Sequence, residues 1–196
     1  MQVDGEKMWI ELTCVCEKCG YEFEADVGVG FLYAKVYVET IDAMKEGRFG
    51  QQGKEFLEAF PNRAISCENI VVQCNDCKKL MVVPELSLYV PKEGYDLTKS
   101  NRKNRWSSGF SGNDYEYVSP LELNEHYQLF KEYDHRCLYC NGHTSVVPGF
   151  TECMDKSIDK RVSCPECGSM IEINFTGIWA SAITWIFFDF AREILE

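Results

Sequence analysis

Cys164-Pro165-Glu166-Cys167-Gly168 places two cysteines two residues apart, with proline after the first and glycine after the second. Proline fixes one backbone angle of a tight turn, and glycine admits the left-handed conformation that closes it. Both sulfurs of such a turn can face one metal ion, and two turns complete a tetrahedral shell of four thiolates. Outward from this stretch the spacing recurs at Cys16/Cys19, Cys74/Cys77 and Cys137/Cys140. The first of these, Cys16-Glu17-Lys18-Cys19-Gly20, repeats the glycine. Order along the sequence assigns Cys16, Cys19, Cys74 and Cys77 to one site and Cys137, Cys140, Cys164 and Cys167 to another. Pairing across the two halves is the alternative.

The eleven cysteines are odd in number, and the start, Met1-Gln2-Val3-Asp4-Gly5-Glu6, is polar and acidic. Neither suits a disulfide framework in a secreted protein. A metal-binding protein of the cytoplasm is the expectation. Two zinc ions are expected, because ribbon knuckles with flanking strands suit a closed structural ion. Iron is the alternative, since rubredoxin-type sites use the same spacing. Four thiolates leave no open position for water or substrate, which argues against metal-dependent hydrolysis. Cys14, Cys67 and Cys153 are left over; Cys14 sits two before Cys16 and is an alternative ligand to it. His126, His135 and His143 are not needed where cysteine sets are complete. No nucleophile elbow or paired-carboxylate constellation stands out, so no catalytic residue is assigned.

The 196 residues, 45% hydrophobic and 13% aromatic, suffice for one large domain or two small ones. Acidic residues outnumber basic ones 31 to 20, for a net charge of −11. Eight thiolates around two divalent ions take this to about −15. Such a field repels phosphate backbones unless a local basic patch overrides it.

Residues 7–15 partly alternate and read as a strand into the first knuckle, with residues 21–25 as the return strand. Gly28-Val29-Gly30 reads as a turn rather than a phosphate loop, lacking the third glycine and the lysine. Residues 33–46 fit a helix ending at Gly47, with Tyr33, Val36, Tyr37, Ile41 and Met44 apolar. A second helix spans roughly 54–60 and stops at Pro61. Residues 69–74 and 80–83 read as strands flanking the second knuckle, and 86–90 as an edge strand. Ser119-Pro120-Leu121-Glu122 is a helix start with capping serine, first-turn proline and glutamate three on. That helix is expected to bury Leu123, Tyr127, Phe130 and Tyr133 and to run almost into Cys137. Residues 146–147, 161–163 and 170–175 supply the remaining ribbon strands.

Between these parts, residues 92–114 read as a linker or mobile loop. It carries Lys99, Arg102, Lys103, Arg105 and Trp106, a possible grip for nucleic acid or an acidic partner. Overall acidity favours a solvated linker instead. The tail from Gly177 is crowded with apolar residues and reads as a hydrophobic helix. Trp179, Ile183, Trp185, Phe187 and Phe188 there could bury against the ribbons, a second copy or a partner. The apolar run is about half the ~20 residues a membrane span needs, so no membrane is expected.

Residues 10–90 resemble the CpXC family of small bacterial zinc-binding proteins. The likeness rests on Cys16 to Cys19 with Tyr21-Glu22-Phe23, the helical middle with Gly47, Cys74 to Cys77, and Leu86-Ser87-Leu88-Tyr89. Both clips lack the proline after the first cysteine, and Lys78 replaces the knuckle glycine. The second half resembles generic bacterial zinc ribbons at Cys164–Gly168. The resemblance implies zinc and brings no activity. The expectation is an α+β protein of two zinc-ribbon-like units with inserted helices and a C-terminal hydrophobic helix. Its boundaries would be 1–92, a linker over 93–118, and 119–196. It would act without catalysis, as a module for protein–protein interaction or self-association. A nucleic-acid-associated ribbon using residues 99–106 is the rival.

Overall fold

A computed structural model describes residues 9–30, 33–60, 62–96, 116–152 and 157–179. The fold is α+β and divides into two compact units. The units interleave along the sequence instead of following one another. One takes in Leu32–Glu68 and Pro84–Tyr133; the other takes in Met8–Phe31, Asn69–Val83 and Asp134–Glu196. Consecutive boundaries at 92 and 119 are therefore replaced by a nested order. The basic cluster Lys99, Arg102, Lys103, Arg105 and Trp106 lies outside the described residues, as do Cys153, Ile183, Trp185, Phe187 and Phe188.

The second unit is built on a seven-stranded sheet. Its strands are β1 (Trp9–Val15), β2 (Glu22–Gly28), β4 (Asn69–Cys74), β5 (Leu80–Pro84), β8 (Thr144–Val146), β9 (Arg161–Ser163) and β10 (Met170–Trp179). They run in the order β5-β4-β2-β1-β10-β9, with β8 also paired to β4. The decisive pairing is β1 with β10, antiparallel from Trp9↔Trp179 to Cys14↔Ile173 across a bulge at Glu11/Leu12. Alternation explains it: Leu12, Cys14, Ile171 and Ile173 are buried, while Glu172 and Asn174 face solvent. The strand continues through Gly177–Trp179, where the sequence suggested the start of a helix; pairing with β1 carries the extended conformation past Phe175. Fully buried Phe150, in the short helix α4 (Pro148–Thr151), fills the core beside Phe23 at 5.8 Å between ring centres, edge to face.

The first unit holds helices α1 (Tyr33–Lys45), α2 (Gln51–Ala59) and α3 (Pro120–His126). Its strands β3 (Ala64–Ile65), β6 (Leu88–Pro91) and β7 (Tyr127–Lys131) form a sheet in that order. Helix α1 buries Tyr33, Tyr37, Thr40 and Met44, one stripe at helical spacing, while Val36 is exposed. Ser119 caps α3 by accepting the Glu122 backbone N–H at 3.2 Å, as its capping sequence implies. The helix ends at His126 instead of continuing to Cys137. Tyr127 to Lys131 pairs with β6 from Pro91↔Tyr127 to Leu88↔Lys131, so strand pairing overrides the helical stripe.

Candidate metal centres

Each cysteine clip closes in the same way. The residue after the second cysteine is left-handed in all four: Gly20 (φ 75), Lys78 (φ 61), Asn141 (φ 59) and Gly168 (φ 72). Its N–H donates to the carbonyl of the first cysteine, at 2.8 Å for Gly20, 3.1 Å for Lys78, 2.8 Å for Asn141 and 3.0 Å for Gly168. The first cysteine's N–H donates across the turn to Tyr21, Lys79, Gly142 and Ser169 carbonyls at 2.8–3.0 Å. Four copies of one knuckle thus stand at the ends of short hairpins.

The knuckles pair in nested order. Cys16, Cys19, Cys164 and Cys167 form one group; Cys74, Cys77, Cys137 and Cys140 form the other. All eight expected cysteines are brought into fours, but the assignment by sequence order is corrected. The outer pairing follows from β1–β10, which sets the first clip beside the fourth. The inner one follows from β4–β8, Val72↔Val146 to Cys74↔Thr144, which sets the second clip beside the third. Both groups belong to the same compact unit. Gln73 links their surroundings, its amide donating to the Lys78 and Ser163 carbonyls, each at 2.9 Å.

Within the groups the nearest sulfurs lie 3.5 Å apart for Cys16 and Cys167, and 3.6 Å for Cys19 and Cys164. In the inner group Cys74 and Cys140 are 3.4 Å apart, Cys77 and Cys137 3.5 Å. These separations are far too long for disulfides. They are close to the edge of about 3.8 Å expected for a tetrahedron of sulfurs around an ion 2.3 Å from each. The donor set therefore fits a four-thiolate metal ion at each place.

The surroundings stabilise thiolates unequally. Burial works against the Cys74 thiolate, but backbone N–H groups of Cys77 and Asp76 donate to it and bring its pKa down to about 6. Those contacts are 3.4 Å each, as is that from Tyr139 N–H to Cys137. Cys167 is also lowered to about 6, by the Ser169 hydroxyl and backbone N–H. Without an ion, protons must be shared within each group. Cys19 is pushed up to about 12, although its backbone contact with Tyr21 pulls down: burial and the neighbouring thiols outweigh that pull. Within the outer group the thiols thus differ widely in how readily they give up a proton, Cys167 easily and Cys19 reluctantly.

The other candidate residues lie elsewhere. Cys14 is fully buried in the sheet core and outside either group, its thiol raised to about 11 chiefly by burial. Cys67 is buried in the first unit. His126 stacks on Tyr95 at 4.3 Å, and His143 lies 3.4 Å from Asp134, so neither joins a cysteine group. The amide donors around Cys74 and the left-handed Asn141 carried no sequence signal comparable to the cysteine spacing.

Compared with known proteins, the sequence matches no family model, and no curated protein or solved structure matches it. The CpXC and zinc-ribbon likeness therefore rests on the residues quoted for it.

Proposed function

We propose that this is a non-catalytic protein with two structural zinc ions, whose knuckles present a surface to another protein. The sulfur geometry carries the reading: two closed sets of four cysteines, each at near-tetrahedral spacing. Zinc suits such sites because it imposes no geometry of its own and is redox-inert; closed sets favour structure over catalysis. A reducing compartment, such as the cytoplasm, keeps the eight thiols available. Metal analysis of protein purified without added metal should find two zincs per molecule. Iron in their place, or none, overturns the zinc assignment.

The binding role is supported by the inner centre's outer knuckle. Leu138 is 81% exposed and Tyr139 63%, both at the turn between Cys137 and Cys140. Lys79 sits 4.3 Å from the Tyr139 ring centre, holding the aromatic face at the tip. An apolar pair on a metal-fixed turn suits contact with a second protein surface. Light scattering of wild type against a Leu138→Ser/Tyr139→Ser variant tests self-association, and affinity capture with the same pair tests other partners. Identical behaviour of the two proteins removes the knuckle tip from the function.

A further inference from the structure

The inner centre contains the single Asn-Gly dipeptide of the sequence, Asn141-Gly142, directly after the ligand Cys140. Asn-Gly is the dipeptide most prone to deamidation, because glycine leaves its own backbone nitrogen unshielded. In that reaction the Gly142 nitrogen attacks the Asn141 amide carbon, Cγ. The bond from Cγ to Nδ2 breaks and ammonia leaves, and water then opens the cyclic imide to aspartate or isoaspartate. Asn141 is exposed, so water and base have access.

The closed knuckle opposes the attack. The Gly142 carbonyl accepts from Cys137 N–H at 2.9 Å, and Asn141 N–H donates to the Cys137 carbonyl at 2.8 Å. A methyl group at Gly142 would meet the Asp76 carboxylate and come within 3.3 Å of the Cys140 sulfur, so this position faces both side chains. The two hydrogen bonds and the left-handed Asn141 fix the dipeptide's backbone, so the Gly142 nitrogen and the Asn141 amide carbon cannot rotate into attack geometry while the turn is closed.

We propose that Asn141-Gly142 is a modification site gated by metal at the inner centre: closed, it is protected; emptied, it deamidates. Isoaspartate would add a carbon to the backbone at the left-handed position. The hydrogen bonds on either side of Cys137 could not then re-form together, so metal loss would become permanent at that centre. The proposal rests on the metal reading above.

The test incubates full-length protein, zinc-loaded and chelator-stripped, at 37 °C and mildly alkaline pH. The tryptic peptide 137–156, whose only asparagine is Asn141, is then followed by mass spectrometry and by enzymatic methylation of isoaspartate. Conversion at least about tenfold faster in the stripped protein is expected, since protection follows local closure. Readded zinc should then bind at one site per molecule instead of two. A Gly142→Ala variant should suppress conversion in the stripped state. Bound zinc with equal rates in both states overturns the gate and leaves the metal reading intact. No bound zinc at the start overturns the metal reading, and the gate with it.

Discussion

Lys78 occupies a left-handed backbone position (φ 61) that costs a side-chain-bearing residue about 1–2 kcal/mol. Gly20 and Gly168 hold the same place in the outer centre, with open space where a Cβ would stand. The glycines there answer a backbone angle, and packing has no part in it. Lys78→Gly should accordingly raise stability by roughly 0.5–1 kcal/mol after the entropy of the unfolded glycine is counted. Gly168→Ala should lower it by about 1 kcal/mol. Midpoints of denaturation of the metal-loaded proteins measure both, and a fall for Lys78→Gly would contradict the strain. A second residue effect concerns pH. Burial raises the Cys67 thiol from 9.0 to about 12 against the pull of Thr40, with Glu85 and Glu68 adding to the rise. Burial also holds Tyr33 well above 10.0. The folded state then keeps protons that the unfolded state gives up, so this stability is intact below pH 9 and lost as pH climbs towards 12. Alkaline titration of unfolding should show that decline, and Cys67→Ala should flatten it.

Helix α4 shows how little of a short element a sequence announces. Its four residues matter through Phe150, and Gly149 lets the helix lie against the β9 approach. A Cβ there would fall 2.8 Å from the Asp159 carbonyl and 2.9 Å from Ile173 Cδ1, and the first of these is backbone that cannot swing aside. Gly149→Ala should therefore cost about 1–3 kcal/mol, as overpacking does, and thermal unfolding would register it. An unchanged midpoint would mean the helix shifts freely. Strands β1 and β10 and helix α1 were legible because each buries one face at a regular period. Strand β4 was legible because its run Ile70-Val71-Val72 is a short apolar stretch buried on both faces. Helix α3 was legible at its start, where the cap is local, and not at its end, where β6 supplies the competing partner. Cysteine spacing disclosed the ligands. Their partition was hidden, because β1–β10 joins residues far apart in sequence and no local pattern records that. One signal did exist: the two clips ending in glycine share the outer centre, and the two ending in Lys78 and Asn141 share the inner one.

For the whole molecule, nesting means that the two centres restrain different lengths of polypeptide. The outer one joins cysteines 145 and 151 positions apart, the inner one cysteines 60 and 66 apart. Loop closure alone separates these costs by only about 0.8 kcal/mol, because it grows with the logarithm of length. Strand support separates them more. The outer clips are carried by β1–β2, paired over seven positions, and by β1–β10. In the inner centre, the third clip rests on the three-residue β8 and on one bridge, Arg136↔His143. Opening the inner centre breaks few hydrogen bonds, whereas opening the outer one must strain the main sheet. A chelator titration should therefore remove metal in two steps, the inner ion first. After the first equivalent is lost, amide exchange should quicken over residues 135–146 and stay slow in β1 and β10. Cys140→Ser should reproduce that intermediate, with one metal retained and the sheet intact, while Cys164→Ser should destabilise the unit more severely. Simultaneous loss of both ions, with exchange rising together in all three segments, would show that the centres unfold as one and that strand support does not rank them.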